Sequence, residues 1–190
     1  MSYDVVVVGA RCAGSPLAAL LARAGARVAL LEQARFPRDT LSSHLFQADA
    51  LAFLDRLGLT ERLRSTGAPF ANRTDTRIGD VRLQVDWPRR PGDPGGITSI
   101  RRTVLDPILA AAAEEAGADV RFETKVTGLL EEDGRVAGVR TESGELPARL
   151  VVGADGRSST VAPLCGSRRY NLTPNERALY WGFYEGAATG

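Results

Sequence analysis

The chain opens with a stretch that leaves little freedom for its fold. Residues 3–8 read Tyr-Asp-Val-Val-Val-Val and run directly into the loop Gly9–Gly14, which reads Gly-Ala-Arg-Cys-Ala-Gly. Consecutive valines flanked by turn residues are typical of a parallel strand that is covered on both faces. Residues 16–24 have helical composition. The sequence therefore predicts a buried strand, a tight loop and a helix in direct succession.

The loop Gly9–Gly14 has small residues where a phosphate-binding loop needs them. Gly9 allows a sharp turn off the strand, and Gly14 allows the helix to pack closely on the strand. A pyrophosphate would lie on free N–H groups at the helix N-terminus, where the helix dipole favours negative charge. Arg11 stands where a middle glycine is expected. Its side chain must therefore point away from the phosphates or toward their outer oxygens.

An acid at the end of the second predicted strand strengthens this interpretation. Residues 27–31 read Arg-Val-Ala-Leu-Leu and lead into Glu32, close to the offset of about 20 residues at which an acid accepts from a ribose hydroxyl. The alternative is a helix-capping loop and a surface acid that meet by chance. Glu32 also disfavours a 2′-phosphorylated nucleotide here, because two negative groups would repel each other.

Length and composition limit the domain count and the partners. At 190 residues and 44% hydrophobic content, the chain can form one domain, or one domain and part of another. The net charge of +1 does not indicate a basic surface that would bind nucleic acid or an anionic membrane. No apolar run of about 20 residues predicts a membrane span. Cys12 and Cys165 form no spaced set for disulfides or a metal, and they favour a reducing cytoplasm.

A polar loop and two helices are predicted after Glu32. Residues 33–44 contain a proline and many polar side chains, and this loop is long enough to be functional. Apolar residues at helical spacing predict a helix over 45–57, and a second, short helix begins at Thr60. This section is interpreted as an insertion after the second strand.

Exposed strands are predicted next. Residues 76–79 and 81–86 alternate apolar with polar side chains, as half-exposed antiparallel strands do, and 97–100 is also predicted as a strand. Prolines and glycines between Pro88 and Gly96 predict a turn-rich connection. Such a sheet either forms one wall of a substrate cleft or is a structural flap.

The remaining pattern returns to helix and strands. A helix is predicted over 103–116, because apolar side chains lie on one face and Gly117 ends it. A β-meander is predicted from three segments, namely 119–123, 125–130 and 136–141. A second buried strand at 150–152 leads into Gly153-Ala154-Asp155-Gly156, so that strand and glycine-rich loop occur a second time.

Three motifs in this order resemble those of one flavoprotein superfamily, the aromatic hydroxylases and the geranylgeranyl reductase-like enzymes. They are the loop Gly9–Gly14 with Glu32, the segment Arg101–Asp106, and Gly153–Gly156 followed by Arg157-Ser158. The resemblance extends from Tyr3 to about Val161. The loop and the sequence Phe-Pro-Arg-Asp at 36–39 are more similar to the geranylgeranyl reductase-like branch.

The resemblance implies an α/β fold, with a Rossmann-like FAD-binding βαβ sheet, an antiparallel β-meander and the start of a substrate-domain sheet. Residues 1–165 would form the FAD-binding domain, with an insertion around 70–100 that belongs to a substrate-side sheet. Residues 166–190 would begin a truncated substrate domain, with Tyr180–Gly186 as the start of its sheet. The implied cofactor is FAD, with NADH or NADPH as a transient reductant. The implied partner is a small-molecule substrate, and a homo-oligomer stays open.

The resemblance also assigns roles to single residues. The residues to which it assigns cofactor contacts are Gly9, Ala10, Arg11, Cys12, Ala13, Gly14, Glu32, Gln33, Arg102, Val126, Asp155 and Gly156. The loop would hold the pyrophosphate, Glu32 the adenosine ribose, Arg102 the ribityl and phosphate part, and Val126 the adenine. Asp155 would shape the FAD site and support the pyridine nucleotide.

For several of these residues, a purely structural role stays open as the alternative. Asp155 could be a helix N-cap alone, and Arg102 could lie at a solvated helix N-terminus. His44 is the only histidine. Its place in the loop near the expected flavin ring makes it a candidate for proton transfer, although a loop histidine without a visible partner is more often incidental. Cys12 is expected to pack as a small residue.

Three functions remain at this point. In the first, the chain is the FAD-binding portion of a flavin-dependent oxidoreductase, either a monooxygenase or a double-bond reductase. In the second, it is a non-catalytic or incomplete nucleotide-binding module that needs a partner chain or a C-terminal part, because the family's downstream Gly-Asp motif is not in this sequence. The third, an NAD-dependent dehydrogenase, gives no account of the Asp155-Gly156 motif.

Overall fold

The computed structural model describes residues 2–87 and 96–174, together with residues 176, 178 and 180. Most of the predicted turn-rich connection, residues 88–95, lies outside the described residues, and so do residues 181–186 of the predicted substrate-domain sheet. All statements below concern the described part of the chain.

The described residues form eleven strands and five helices. The strands are β1 Tyr3–Val8, β2 Val28–Leu31, β3 Leu45–Phe46, β4 Phe70–Ala71, β5 Arg73–Ile78, β6 Val81–Asp86, β7 Ile97–Ser99, β8 Asp119–Arg121, β9 Val126–Glu132, β10 Arg135–Thr141 and β11 Gly144–Gly153. The helices are α1 Gly14–Arg23, α2 Ala48–Arg56, α3 Thr60–Arg64, α4 Arg102–Glu115 and α5 Val161–Leu164.

The main sheet combines a parallel and an antiparallel half. Its six strands follow the order β8-β2-β1-β11-β10-β9. Strand β1 pairs in parallel with β2 on one side and with β11 on the other, whereas β9, β10 and β11 are antiparallel neighbours. The α/β class, the βαβ unit and the antiparallel β-meander are therefore confirmed.

Both faces of β1 and β2 are covered, which explains their continuous apolar sequence. Because side chains alternate along a strand, Val5 and Val7 face a core shared with α1 and α4, where Leu105 is fully buried. Val6 and Val8 face the opposite core, which the meander and α5 complete. The parallel strands thus lie between a layer that contains α1 and α4 and a layer formed by the meander and α5.

Two elements differ from the predictions. The segment 119–121 was expected in the meander, but β8 pairs in parallel with β2 at the opposite edge of the sheet, and β11 is the meander's third strand. Residues 45 and 46 were expected at the start of a helix, but they pair with β7 instead. In both cases the structure depends on pairing with a strand that is distant in the sequence. Local residue spacing contains no information about such a partner.

Outside the main sheet lie a small sheet, β3-β7-β4, and the hairpin β5–β6. The hairpin has two different faces. One carries the ion pairs Arg73–Asp86 and Arg82–Asp75, and the other carries exposed apolar side chains such as Leu83, at 58% exposure. That these strands belong to a substrate-side sheet stays a prediction. No helix among the described residues is long and apolar enough to cross a membrane.

We expect Leu30→Ala to lower the free energy of unfolding by about 2–5 kcal/mol, because it leaves a cavity beside α1 and α4. Leu30 is fully buried in the middle of β2. Urea titration followed by circular dichroism measures the change. The matched control is Leu172→Ala, since Leu172 is 74% exposed and should change stability by less than about 0.5 kcal/mol. Equal effects of the two substitutions would contradict the assigned core.

Candidate dinucleotide-binding site

The site forms where three parallel strands end side by side. Val8 pairs with Leu31 of β2 and with Gly153 of β11, so the carboxyl ends of β1, β2 and β11 lie at one level. The chain segments that follow are also joined, because the Gly9 N–H donates to the Leu31 carbonyl at 2.7 Å. Ligands of open α/β sheets bind at this edge.

The loop Gly9–Gly14 is packed so tightly that its two glycines cannot be replaced. Gly9 has a φ of +103°, and a Cβ there would lie 2.5 Å from the Ala154 carbonyl oxygen. A Cβ on Gly14 would lie 1.8 Å from the Gly9 carbonyl oxygen. The first turn of α1 therefore rests directly on the strand end, as predicted for both glycines. Arg11 does not have a positive φ, which explains why a side chain is tolerated at that position.

The loop leaves backbone donors available. Among the described residues, the N–H groups of residues 11–13 donate to no acceptor on another residue. They lie at the N-terminus of α1, where the helix dipole favours an anion. The Ala10 N–H differs, because it donates to Glu32 Oε2 at 3.2 Å. The acid predicted to lie beside the loop Gly9–Gly14 therefore does lie beside it in the folded chain.

Glu32 is held in place at the end of β2. Besides the contact with Ala10, its Oε1 accepts from the Ala34 N–H at 3.0 Å, and Arg11 Nε lies 3.8 Å from Oε2. Glu32 is only 5% exposed, yet it lines the pocket described below. A carboxylate so fixed has lone pairs left for hydroxyl groups of a ligand.

Two arginines share one buried carboxylate beneath the loop. Asp106 is fully buried and accepts from Arg102 Nε at 2.6 Å, from Arg102 Nη2 at 3.1 Å and from Arg11 Nη1 at 3.0 Å. The Arg11 guanidinium also lies 5.4 Å from the centre of the Phe36 ring. Burial lowers the pKa of Arg102, but Asp106 and Cys12 together more than offset this effect and raise it. The Arg102 guanidinium therefore carries charge.

Asp155 is a helix cap that also faces the site. Its carboxylate accepts from Ser159 Oγ at 2.6 Å and from the Thr160 and Val161 N–H groups at 2.6 and 3.1 Å, at the start of α5. Burial favours the neutral acid, but these hydrogen bonds outweigh burial and lower the pKa of Asp155. Asp155 and Gly156 also line the pocket. Asp155 therefore caps the helix and borders the pocket at the same time.

These elements enclose a pocket of about 740 Å³, a volume within the usual range for ligand sites. The predicted site residues that line the pocket are Gly9, Arg11, Cys12, Ala13, Glu32, Gln33, Arg102, Val126, Asp155 and Gly156. Ala10 and Gly14 lie behind this surface and shape the loop. Residues at opposite ends of the sequence thus converge on one cavity.

His44 is not part of the pocket lining. It is 4% exposed, and its Nδ1 accepts the Arg102 backbone N–H at 3.1 Å, at the first residue of α4. Its own carbonyl accepts the Ile100 N–H at 3.0 Å. In this position His44 stabilises the N-terminus of the helix that carries Arg102 and Asp106.

Cys12 has exposed surface at the pocket, and its surroundings keep it protonated. Burial raises the pKa of the Cys12 thiol; Arg102 opposes that effect and Asp106 reinforces it. The Sγ atom lies 3.9 Å from Asp106 Oδ1. Cys12 is therefore a weak nucleophile near neutral pH. No group of acids, histidines and cysteines within the described ranges is arranged to hold a metal ion.

The sequence interpretation assigned no site role to the buried Asp106 or to two cationic side chains of the pocket wall, Arg38 and Arg157. The spacing of Arg102 and Asp106 by four residues was a usable signal, because Arg102 directly precedes the predicted helix 103–116 and residues four apart are neighbours on one helical face. The contact of Asp106 with Arg11 had no local signal, since 95 positions separate the two residues.

We expect Asp155→Ala to lower the free energy of unfolding by about 1 kcal/mol at neutral pH, because α5 loses its cap. The folded-state pKa of Asp155 is lowered from 3.8, so this stabilisation is complete well above pH 3.8 and is lost as the pH falls through the folded-state value. Urea titrations over this pH range measure the difference from wild type.

Asp155→Asn is the matched control, because it keeps an oxygen acceptor but cannot titrate. It should retain part of the cap's stabilisation. A wild-type advantage over Asp155→Ala that stays constant from about pH 6 to about pH 2.5 would contradict the role of the ionised carboxylate.

Comparison with known proteins identifies the domain. A family model described as an FAD binding domain matches residues 2–177. The 6-methylpretetramide 4-monooxygenase of Streptomyces rimosus is 38% identical over 173 residues, which cover 86% of this chain and 40% of the relative. The menaquinone reductase of Mycolicibacterium smegmatis is 36% identical over 166 residues, with the same coverage. The chain thus spans about 40% of the length of these relatives.

Solved structures support the same fold. The myxobacterial chondrochloren halogenase CndH, described as an FAD-dependent halogenase, matches with a TM-score of 0.70 and 31% identity over 82% of this chain and 38% of its own. PqsL of Pseudomonas aeruginosa matches with a TM-score of 0.79 over 92% of this chain and 48% of its own, and its 22% identity supports the fold alone. Because the family model matches nearly the whole described chain, this protein belongs to the family of FAD-binding domains.

Proposed function

We propose that the pocket at the ends of β1, β2 and β11 binds FAD, with the pyrophosphate on the loop Gly9–Gly14 and the adenosine ribose on Glu32. The observation that carries the proposal is the combination of free N–H groups at residues 11–13 with a fixed carboxylate directly beside them. A dinucleotide has two phosphates next to ribose hydroxyls, and this pair of sites matches that order.

The rest of the pocket supports the same ligand. Arg102 is 13% exposed at its side chain and lines the cavity, where a guanidinium can donate to phosphate. Lys125 and Val126 line the wall at the start of β9, where we place the adenine. Gln33 extends the wall beyond Glu32. The residues present therefore suit FAD.

The chain's own contribution is binding and orientation. Bound FAD would supply the two-electron transfer from a reductant to oxygen or to an organic acceptor. The loop donors and Arg102 would neutralise the phosphates, and Asp155 at the end of β11 would orient the loop that follows. No described residue of the pocket is assigned a proton-transfer step, because His44 lies outside the lining.

We infer that the whole protein is an oxidoreductase of a small organic molecule, with NADH or NADPH as reductant, in the reducing cytoplasm. The relatives bear the names of a monooxygenase and of a menaquinone reductase, at nearly equal identity. Oxygenation and double-bond reduction therefore both remain in the proposal. Glu32 supports FAD at this pocket over a 2′-phosphorylated nucleotide.

A second candidate function follows from the share of its relatives' length that this chain spans. The chain spans about 40% of its curated relatives, so the described domain can be a binding module that acts only together with further polypeptide. Steady turnover by the 190-residue chain alone would exclude this candidate. Recovery of turnover only in a longer chain, or with a second polypeptide, would support it.

The first test is the visible absorption spectrum after incubation with FAD and desalting. We expect wild type to retain a flavin band and Gly14→Ala to lose it, since the added Cβ would lie 1.8 Å from the Gly9 carbonyl oxygen and must displace the loop. The matched control is Gly128→Ala, whose Cβ would meet nothing closer than 3.4 Å. It should bind FAD like wild type.

A folded full-length wild type that never takes up FAD would refute the proposal. If flavin is retained, anaerobic bleaching of the band by NADH or by NADPH identifies the reductant. Failure of both to bleach a bound flavin would refute that part of the proposal and leave the FAD site standing.

A further inference from the structure

The carboxylate of Asp106 connects two cationic side chains of the pocket wall but is not itself part of the wall. Its side chain is fully buried, whereas the side chains of Arg11 and Arg102 keep 25% and 13% of their surface exposed. Both arginines line the pocket, and Asp106 does not. Asp106 therefore meets the pocket's ligand only through the two guanidinium groups.

The bonds to Asp106 fix the orientation of Arg102. Nε and Nη2 bind the carboxylate side-on at 2.6 and 3.1 Å. A guanidinium has five N–H donors in one plane, so this contact uses one edge and leaves the remaining donors on the other edges. Those remaining donors have no hydrogen-bond acceptor among the described residues, and they belong to a side chain that lines the pocket.

Arg11 is fixed by the same carboxylate. Its Nη1 donates to Asp106 Oδ2 at 3.0 Å, and the ring of Phe36 supports its guanidinium at 5.4 Å. Phe36 in turn packs on Phe122 with ring centres 5.1 Å apart. The phosphate loop and helix α4 are thus joined through one buried acid, although 95 positions separate Arg11 from Asp106.

We propose that Asp106 is a positioning residue for cofactor binding: it holds the guanidinium groups of Arg11 and Arg102 so that their free donors face the phosphates of the bound dinucleotide. The inference rests on the proposed FAD site. It adds a role for a residue that does not contact the ligand, and it explains why an acid is buried beside a site for anions.

The direction in which FAD affinity changes when Asp106 is removed distinguishes a positioning role from a purely electrostatic one. If Asp106 acted only as a counter-charge, its removal would leave the pocket more positive and would strengthen the binding of the anionic cofactor. If Asp106 positions the arginines, its removal frees both side chains, and ordering them again on binding costs free energy. Asp106→Asn also places an amide donor against guanidinium donors. FAD binding should therefore weaken.

The experiment measures the Kd for FAD by quenching of flavin fluorescence in the full-length protein that carries this chain. We expect Asp106→Asn to raise the Kd roughly tenfold or more, which is within the range of coupling in charge networks. The matched control is Glu115→Gln on the same helix. It removes one acid from the exposed Arg62–Glu115 pair, and its Kd should equal that of wild type.

A double-mutant cycle tests whether Asp106 acts through Arg102. In an Arg102→Gln background, Asp106→Asn should raise the Kd by a much smaller factor than in wild type, because the partner to be positioned is gone. Purely structural damage would add its full factor in both backgrounds. Full additivity would therefore overturn the proposal, and so would unchanged or tighter FAD binding by Asp106→Asn.

Thermal unfolding without FAD checks that each variant is folded. If Asp106→Asn does not fold, Asp106→Glu replaces it, since it keeps the charge and shifts the carboxylate by one methylene. It should weaken FAD binding in the same direction, and wild-type affinity for this variant would refute the positioning role. A wild type that does not bind FAD refutes the proposed function itself. Wild-type binding with unaffected variants refutes only the role of Asp106.

Discussion

The site depends on one close contact, that between the Gly14 backbone and the Gly9 carbonyl group. A Cβ on Gly14 would lie 1.8 Å from that oxygen, and a Cβ on Gly9 would lie 2.5 Å from the carbonyl of Ala154. At these two glycines, strand β1, helix α1 and the segment after β11 therefore approach one another through backbone atoms. This contact brings the N-terminus of α1 to the ends of the strands. An anion bound by the unpaired N–H groups of that N-terminus would therefore lie at the ends of the strands.

The sequence was informative where a residue's role depends on its near neighbours. The valines of β1 predict burial on both faces, and Gly9, Gly14 and Glu32 predict a phosphate loop and its acid from spacing alone. The residues gathered around the pocket, Asp155 and Arg102 among them, were found through motifs, and their contacts with a cofactor stay predictions. The structure adds that Asp155 caps α5, a role that spacing had left open.

The sequence was uninformative where the partner is far away along the chain. Strand β8 has the same composition whether it joins the meander or the edge of β2, and only the fold decides between them. The contact between Arg11 and Asp106 likewise requires α4 to be packed beside α1. His44 belongs to the same class, because its bond to the Arg102 N–H follows from the antiparallel pairing of β3 with β7.

Arg11 shows how a departure from a motif can be compensated within the site. The residue does not have a positive φ, so the backbone conformation does not require a glycine. A larger side chain is then tolerated if it leaves the path of the phosphates, and Asp106 and Phe36 hold it to one side. The positive charge stays at the pocket wall, where it favours an anionic ligand. The loop thus loses a glycine and gains a fixed cation, whose direction is set by an acid on another helix.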